Sequence, residues 1–385
     1  MTDKIIRVGV FDRDCDLFEG QYKVPHGVSY NSYVIKNKKI AVMDSVDVRY
    51  SAEWLDNIEK VLCGAAPDYL IIQHMEPDHS GSITEFVRKY PGVTLVASAK
   101  AFGMLASFHR NLPQCGKITV ADKDKLSLGD TTLTFITAPM VHWPEVVVTF
   151  DENAGVLYSA DAFGRFGSVD EGDEWASEAR RYYIGIVGKY GAQVQALFKK
   201  LAGFDIKAIA PLHGPVLTKN LDYYLNLYNI WSSYEYEDVG TLIAYASIYG
   251  GTAIAAEQLA DILESKTGIR PKLHDLARCD KHEAIADAFK YKNLILAASS
   301  YNGGVFPAMR EFLLEICERG YRNRSVGIIE NGSWAPSAAK AMLAILEGAR
   351  DIELYENTVK IQSVPNESTR EILTALADEI KEKNQ

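Results

Sequence analysis

Residues 68–79 read Asp68-Tyr69-Leu70-Ile71-Ile72-Gln73-His74-Met75-Glu76-Pro77-Asp78-His79. The run Tyr69 to Ile72 has the apolar character of a buried strand. Four ligand-type side chains follow within six positions: His74, Glu76, Asp78 and His79. Loops at strand ends are where a rigid scaffold gathers distant functional groups. In extended chain, residues i and i+2 share a side. His74, Glu76 and Asp78 are therefore expected to converge, with the loop bringing His79 round. Imidazole and carboxylate at this density predict a metal site.

Three more candidates share that context. His142 lies in TAPMVHWPE after the run LTFITA, Asp161 in SADAFG after VLYSA, and His213 in PLHGP after KAIA. A lone histidine or aspartate at a strand end is usually a capping or hydrogen-bonding group. Seven of them at four strand ends favour a shared metal centre.

Outward from this centre, the first 240 residues hold short strand-like runs such as RVGVF, SYVIK, KIAVMD, VTLVAS and VVVTF. Helical stretches such as SAEWLDNIEKVL separate them, and YYIGIVGKYGAQVQALFKKLA (182–202) has helical spacing. Strands with interspersed helices suit a sheet sandwich with outer helices. From residue 241 the rhythm becomes strand-helix-strand: TLIAYAS, then AIAAEQLADILES, then NLILAASS, FPAMREFLLEICERG, RSVGIIEN and SAAKAMLAILEGA. That alternation predicts a doubly wound parallel sheet. The expected division is residues 1–240 and 241–385.

The second region carries three loops at strand ends. Ser247-Ile248-Tyr249-Gly250-Gly251-Thr252 joins a strand to a helix, the geometry in which backbone N–H groups and a helix N-terminus cradle a phosphate. Ser299-Ser300-Tyr301-Asn302-Gly303-Gly304 and Glu330-Asn331-Gly332-Ser333-Trp334-Ala335 follow the next strands. Doubly wound sheets bind ligands at such ends.

The net charge of −10 over 385 residues argues against a general nucleic-acid binder. A 47% hydrophobic share is enough for substantial cores. No window approaches ~18 uninterrupted apolar residues, so no membrane span is expected. The start, MTDKIIRVGVF, lacks the apolar core of a signal peptide. Cysteines at 15, 63, 115, 279 and 317 form no CxxC pair, which suits scattered thiols in a reducing cytoplasm.

The pattern HxExDH, with histidines in HWP and PLHGP contexts and an aspartate in SADAFG, resembles the flavodiiron proteins (A-type flavoproteins). The resemblance covers essentially the whole chain. It implies an α/β protein with an N-terminal metallo-β-lactamase-like αββα sandwich and a C-terminal flavodoxin-like doubly wound parallel sheet. The hydrolytic members of that superfamily usually have HxHxDH. Glu76 replaces the second histidine, and a harder oxygen ligand suits iron. The family pattern gives His74, Glu76 and His142 to one iron and Asp78, His79 and His213 to the other, with Asp161 bridging.

In the family the three C-terminal loops hold FMN. Here ENGSW stands where a Gly-Ser-Tyr-Gly-Trp run is often found, and Ser299-Ser300 where Pro-Thr is often found; Trp334 is read as a stacking ring. His26, in KVPHGVSYNSYVIK, is implied by the resemblance to lie near the di-iron pocket as a proton or hydrogen-bond donor; the alternative is a surface or turn histidine. Trp143 and Glu145 flank His142, either supporting the ligands or packing. Tyr182 and Tyr183 are read as core or interface aromatics, and His109, His274 and His282 receive no role.

The resemblance implies a cytoplasmic reductase in which electrons pass from FMN to the di-iron site. Dioxygen would be reduced to water, and nitric oxide to nitrous oxide. No pair of CxxC motifs of rubredoxin type is present, so a separate donor such as a rubredoxin or a reduced deazaflavin is expected. A head-to-tail homodimer is expected to bring the two cofactors together. The alternative is a zinc hydrolase of metallo-β-lactamase fold with an accessory flavodoxin-like domain.

Overall fold

The computed structural model describes residues 4–167, 169–170 and 174–384. It contains two compact units, Met1–Asn229 and Ile230–Gln385. The first long strand of the second unit, Asp238–Ala246, begins where the change of rhythm is read from sequence.

The first unit is an αββα sandwich. A six-stranded sheet runs in the order Ile5–Arg7, Tyr33–Ile35, Ala41–Met43, Tyr69–Ile72, Thr94–Ser98, Gly116–Val120. A five-stranded sheet runs Lys125–Ser127, Thr132–Thr137, Val147–Asp151, Val156–Tyr158, Ala208–Ala210. Side-chain alternation sorts the first sheet's residues between two cores. Tyr33, Ile35, Ala41, Met43 and Ile71 face the second sheet and pack with Leu133, Phe135, Val147 and Tyr158. Val34, Val42, Leu70 and Ile72 face outward against Trp54, Ile58 and Leu62 of the helix Ser51–Leu62 and Phe86 of Ile83–Lys89.

The run RVGVF, expected as one strand, is divided. Ile5–Arg7 joins the large sheet, while Val10–Asp12 pairs with Val28–Tyr30 in a separate ribbon. Gly9 sits at the break, where a Cβ would lie 2.2 Å from the Tyr30 carbonyl oxygen, so only glycine permits the crossing. The stretch 182–202 is helical but not uniform. An α-helix, Ala176–Tyr182, passes into a π-turn, Tyr183–Val187, then a 3-10 turn and the helix Gly191–Leu201. Tyr22 donates its hydroxyl to the Gly185 carbonyl at 2.8 Å. Its ring occupies the space of a Cβ at 185. Single π-turns of this kind frequently mark functional sites.

In the second unit the parallel sheet has the order Lys272–Asp275, Asp238–Ala246, Tyr291–Tyr301, Arg322–Asn331, Arg350–Leu354, with Val359–Ile361 also paired to Arg322–Asn331. In chain order this is 2-1-3-4-5, the flavodoxin-like arrangement. Helices Gly251–Thr267 and Glu367–Lys383 cover one face, burying Leu259, Leu263, Leu373 and Leu376 on Ile243, Ile295 and Ile329. The helices Lys281–Lys290, Pro307–Glu318 and Ala338–Leu346 pack successively on one another. The strand order reverses between Asp238–Ala246 and Tyr291–Tyr301, which opens a crevice at their C-terminal ends. No helix among the described residues is long and apolar enough to cross a membrane.

Candidate metal centre and flavin pocket

The chain leaves the strand Tyr69–Ile72 extended only as far as Glu76 (φ −58°, ψ 139°). Pro77 then starts one helical turn, Pro77–Ser80. This corrects the expectation from extended chain. Asp78 does not converge with His74 and Glu76, because the turn carries Asp78 and His79 to a second group. Pro77 at the first helical position, with φ pre-set for helix, accounts for the turn.

The structure therefore gathers the seven residues as four and three. His74, Glu76, His142 and Asp161 place one donor atom each within 4.8 Å of one another, and Asp78, His79 and His213 do the same. Asp161 faces both groups. Its Oδ2 lies 3.1 Å from His142 Nε2 and 3.3 Å from His74 Nε2. Its Oδ1 lies 3.1 Å from His79 Nε2 and 3.7 Å from His213 Nε2.

Each ligand loop is held by its own contacts. Asp44 accepts from the Gln73 backbone at 2.7 Å and from its side-chain amide at 2.9 Å. Ser45 donates its hydroxyl to the His79 carbonyl at 2.8 Å. Glu145 accepts from His74 Nδ1 at 2.8 Å and from Met75 N at 2.9 Å. His213 Nδ1 donates to the Ser29 carbonyl at 2.7 Å, and Asn31 donates to the carbonyls of Pro211 and Gly214, each at 2.8 Å. Because carbonyls and carboxylates only accept, Nδ1 carries the proton in both histidines, and Nε2 is left to face the cluster.

The electrostatics follow from burial among opposite charges. Burial alone would lower the His74 imidazole, but Asp161, Glu145 and Glu76 hold it well above its usual range. The same competition brings His79 to about 10 and His142 to about 9. Burial works against the ionised Asp161 as well. His79 and His74 outweigh it and keep the carboxyl well below the usual range.

The donor set fits a pair of metal ions. It contains only imidazole nitrogen and carboxylate oxygen. Both oxygens of Asp78 and Oδ1 of Asp161 are buried with no well-aligned hydrogen-bond donor, and Asp78 Oδ2 and Asp161 Oδ1 face the ring nitrogens of His79 and His213, an arrangement that suits a shared cation. His79 and His213 hold their Nε2 atoms 3.0 Å apart. Two ligands ~2.1 Å from one ion at right angles are separated by about that distance.

Tyr182, read as a core aromatic, belongs to this pocket. Its ring centroid is 5.3 Å from that of His213, and its fully buried hydroxyl has no hydrogen-bond partner. Burial and the carboxylates of Asp161, Asp78 and Glu76 push the phenol well above its ordinary range, so it stays an O–H donor. Phe18 packs edge-on against His213, centroids 5.2 Å apart. Trp143 stands edge-on to His74 at 5.2 Å. His26 is exposed and makes no hydrogen bond to the cluster; its neighbour Gly27 accepts from Gly167 N at 3.0 Å.

In the second unit a cavity of about 330 Å³ opens at the sheet crevice. It is lined by Ile248, Tyr249 and Gly251 of the first loop, Ser299, Ser300, Tyr301, Asn302 and Gly303 of the second, and Asn331, Gly332, Ser333 and Trp334 of the third. Four expected residues do not line it. Ser247 instead accepts from Gly250 N at 3.1 Å, Gly250 takes the left-handed conformation that starts the helix (φ +93°), and Gly304 accepts from Ser337. Thr252 is buried and pairs with the Ser299 hydroxyl at 2.9 Å. Trp334 stands at the rim, 91% exposed. The Ser300 hydroxyl accepts from Ser337 N at 2.8 Å, holding the start of the helix Ala338–Leu346.

Sequence reasoning left several supporting residues unassigned: Ser29, Asn31, Asp44 and Ser363. Asn31 and Ser32 were visible as polar residues inside the apolar stretch SYNSYVI. Buried polar groups in such a stretch need fixed partners.

Two family models match this chain, ODP family beta lactamase over residues 28–214 and flavodoxin over residues 243–345. The anaerobic nitric oxide reductase flavorubredoxin of Aeromonas hydrophila is 29% identical over 360 residues, covering 90% of this chain and 72% of that protein. The protein of the same name from Salmonella typhi is 29% identical over 354 residues, covering 89% and 74%. Rubredoxin oxygen:oxidoreductase from Desulfovibrio gigas matches in fold with a TM-score of 0.91 at 24% identity, over 100% of this chain and 98% of that one. A variant of the flavo di-iron protein from Thermotoga maritima matches with a TM-score of 0.88 at 26% identity, over 99% and 96%.

Proposed function

The chain belongs to the flavodiiron proteins, and on that premise we propose that it is a reductase passing electrons from FMN to a di-iron site, where dioxygen becomes water, nitric oxide becomes nitrous oxide, or both. The observation that carries this reading is Asp161, whose two oxygens face two separate ligand groups. FMN bound there would supply one-electron chemistry, and a di-iron pair would supply reducing equivalents for a diatomic gas.

The residues have distinct tasks. We assign His74, Glu76 and His142 to one iron, Asp78, His79 and His213 to the other, and Asp161 to both. Glu145 and the Ser29 carbonyl orient His74 and His213, which leaves each Nε2 free to hold a metal. The Tyr182 hydroxyl offers a hydrogen bond inside the pocket. Phe18 and Trp143 flank the ligand histidines with apolar surface that excludes water. His26, exposed to solvent, is assigned the passage of protons toward the pocket.

In residues 241–385 the three loops lining the cavity would hold FMN, with Ile248, Tyr249 and Gly251 at the start of the helix Gly251–Thr267 on the side suited to its phosphate. Residues 1–240 form the metal domain. Free thiols at Cys15, Cys63, Cys115, Cys279 and Cys317 support a cytoplasmic location. The reading further includes a separate rubredoxin-type or deazaflavin donor and a head-to-tail homodimer.

The test is anaerobic reduction of iron- and FMN-loaded protein by a rubredoxin-type donor, followed by parallel measurement of oxygen and nitric oxide consumption. A loaded protein that consumes neither gas would overturn the proposal. Zinc without a visible flavin band would favour hydrolysis instead.

A further inference from the structure

The strand Arg322–Asn331 and its neighbour Val359–Ile361 end together, with Asn331 opposite Ile361. Past that point the side chain of Asn331 continues the pairing. Its amide nitrogen donates to the Ser363 carbonyl at 3.0 Å, and its amide oxygen accepts from Ser363 N, also at 3.0 Å. One carboxamide thus replaces one further residue of a backbone ladder. The same nitrogen donates to the Thr252 hydroxyl at 3.2 Å, and Thr252 pairs with Ser299 at 2.9 Å. Four strand-end loops are thereby joined through two side chains, Asn331 and Thr252.

Ser363 has φ +69°, and its carbonyl closes tightly over the first loop. A Cβ on Gly251 would lie 1.8 Å from that oxygen, so glycine is required for the closure. The Ser363 hydroxyl meets the Ser333 hydroxyl at 2.6 Å, both exposed, and Ser363 lines the cavity with the three expected loops. Neighbouring hydroxyls at a cavity wall can share one O–H between them and give the other to a ligand oxygen.

We propose that the loop bearing Ser363 is a fourth wall of the flavin pocket, contributing a hydroxyl for an oxygen of the ribityl phosphate chain, and that Asn331 is the positioning residue that holds it there. The proposal rests on the assignment of this cavity to FMN.

The test titrates FMN into flavin-free full-length protein, following quenching of flavin fluorescence. Wild-type protein that binds no FMN would refute the cavity assignment itself. Given wild-type binding, Asn331→Leu and Gly251→Ala, which displace the same loop by different means, should each raise the FMN Kd about tenfold or more. Because they disrupt one closure, the double variant should lose no more than the worse single variant. Losses that add, or a Kd within about twofold of wild type in both single variants, would refute the role of Asn331. Ser363→Ala keeps the backbone pairing and removes only the hydroxyl. It should weaken FMN binding severalfold and shift the visible circular dichroism of the bound flavin, while unchanged affinity would refute the fourth wall even where an Asn331 variant does not fold.

Discussion

The Nδ1 of His74 lies 2.8 Å from Oε1 of Glu145, and both side chains are fully buried. Glu145 is close in sequence to His142, whose imidazole faces the same group as His74. One short loop therefore supplies a ligand-type residue and also fixes the orientation of a ligand-type histidine on another strand. Glu145→Ala is expected to weaken metal affinity roughly 10- to 100-fold with flavin content unchanged. Glu145→Gln, whose amide oxygen still accepts from Nδ1, should lose less. Iron retention during dialysis against a chelator compares the two, and equal retention by Glu145→Ala and wild type would show that Glu145 only packs.

Asp161 is the residue shared by the two groups. Asp161→Ala should lower iron affinity by more than about 100-fold, beyond the loss caused by a supporting residue, and abolish gas consumption. The visible flavin spectrum should persist, since the loops proposed to hold FMN lie in a separate compact unit. Loss of flavin from this variant would contradict the division of labour between the domains.

Metal uptake should release protons. Metal-free His79 and His142 are held at about 10 and about 9, and His74 is also raised, so all three are charged at neutral pH. Ligation needs neutral imidazole, so affinity should rise with pH up to about 9–10, with about three protons released near pH 7. In the metal-free protein the sign for stability is opposite. A histidine with a raised folded-state pKa stabilises at low pH, and that contribution is lost as pH rises through about 9–10. Calorimetric titration in buffers of different ionisation enthalpy counts the protons, and a pH-independent affinity would contradict the charged cluster.

Tyr182→Phe removes a buried hydroxyl that has no hydrogen-bond partner among the described residues. Stability should change little, because no hydrogen bond is broken. If the hydroxyl meets the substrate, turnover should fall by roughly tenfold with metal and flavin content unchanged. Single-turnover gas reduction by the pre-reduced enzyme isolates that step, and wild-type kinetics would leave the hydroxyl without a catalytic task.

His26→Asn probes the solvent side. If His26 passes protons, turnover should fall by up to roughly 100-fold with metal and flavin content unchanged. An unchanged rate of gas consumption would remove His26 from the proton route.

Much was legible in the chain because local pattern carries it. Apolar runs ending in His, Asp or Glu marked the loops that carry the candidate ligands, and strand-helix alternation after residue 241 marked the parallel sheet. The flavodoxin-like doubly wound sheet and the αββα sandwich were implied by the resemblance and are realised in the fold, while the order 2-1-3-4-5 is read from the strand pairing. The partition of ligands was not legible from strand geometry. Alternation in extended chain puts Asp78 with His74, whereas the helical turn begun by Pro77 puts it with His79 and His213.

What the sequence by itself determined was the list of chemical groups and the strand ends that bear them, since residue type and short-range periodicity are properties of the chain. Tertiary structure alone decided which groups meet. Asp161 lies between two histidine groups, Glu145 reaches His74, the Ser29 carbonyl orients His213, and Asn331 draws in Ser363 from a loop 32 residues later. Each of these contacts joins residues far apart in the chain. Their geometry depends on sheet pairing and packing across the whole domain, which no local window of sequence contains.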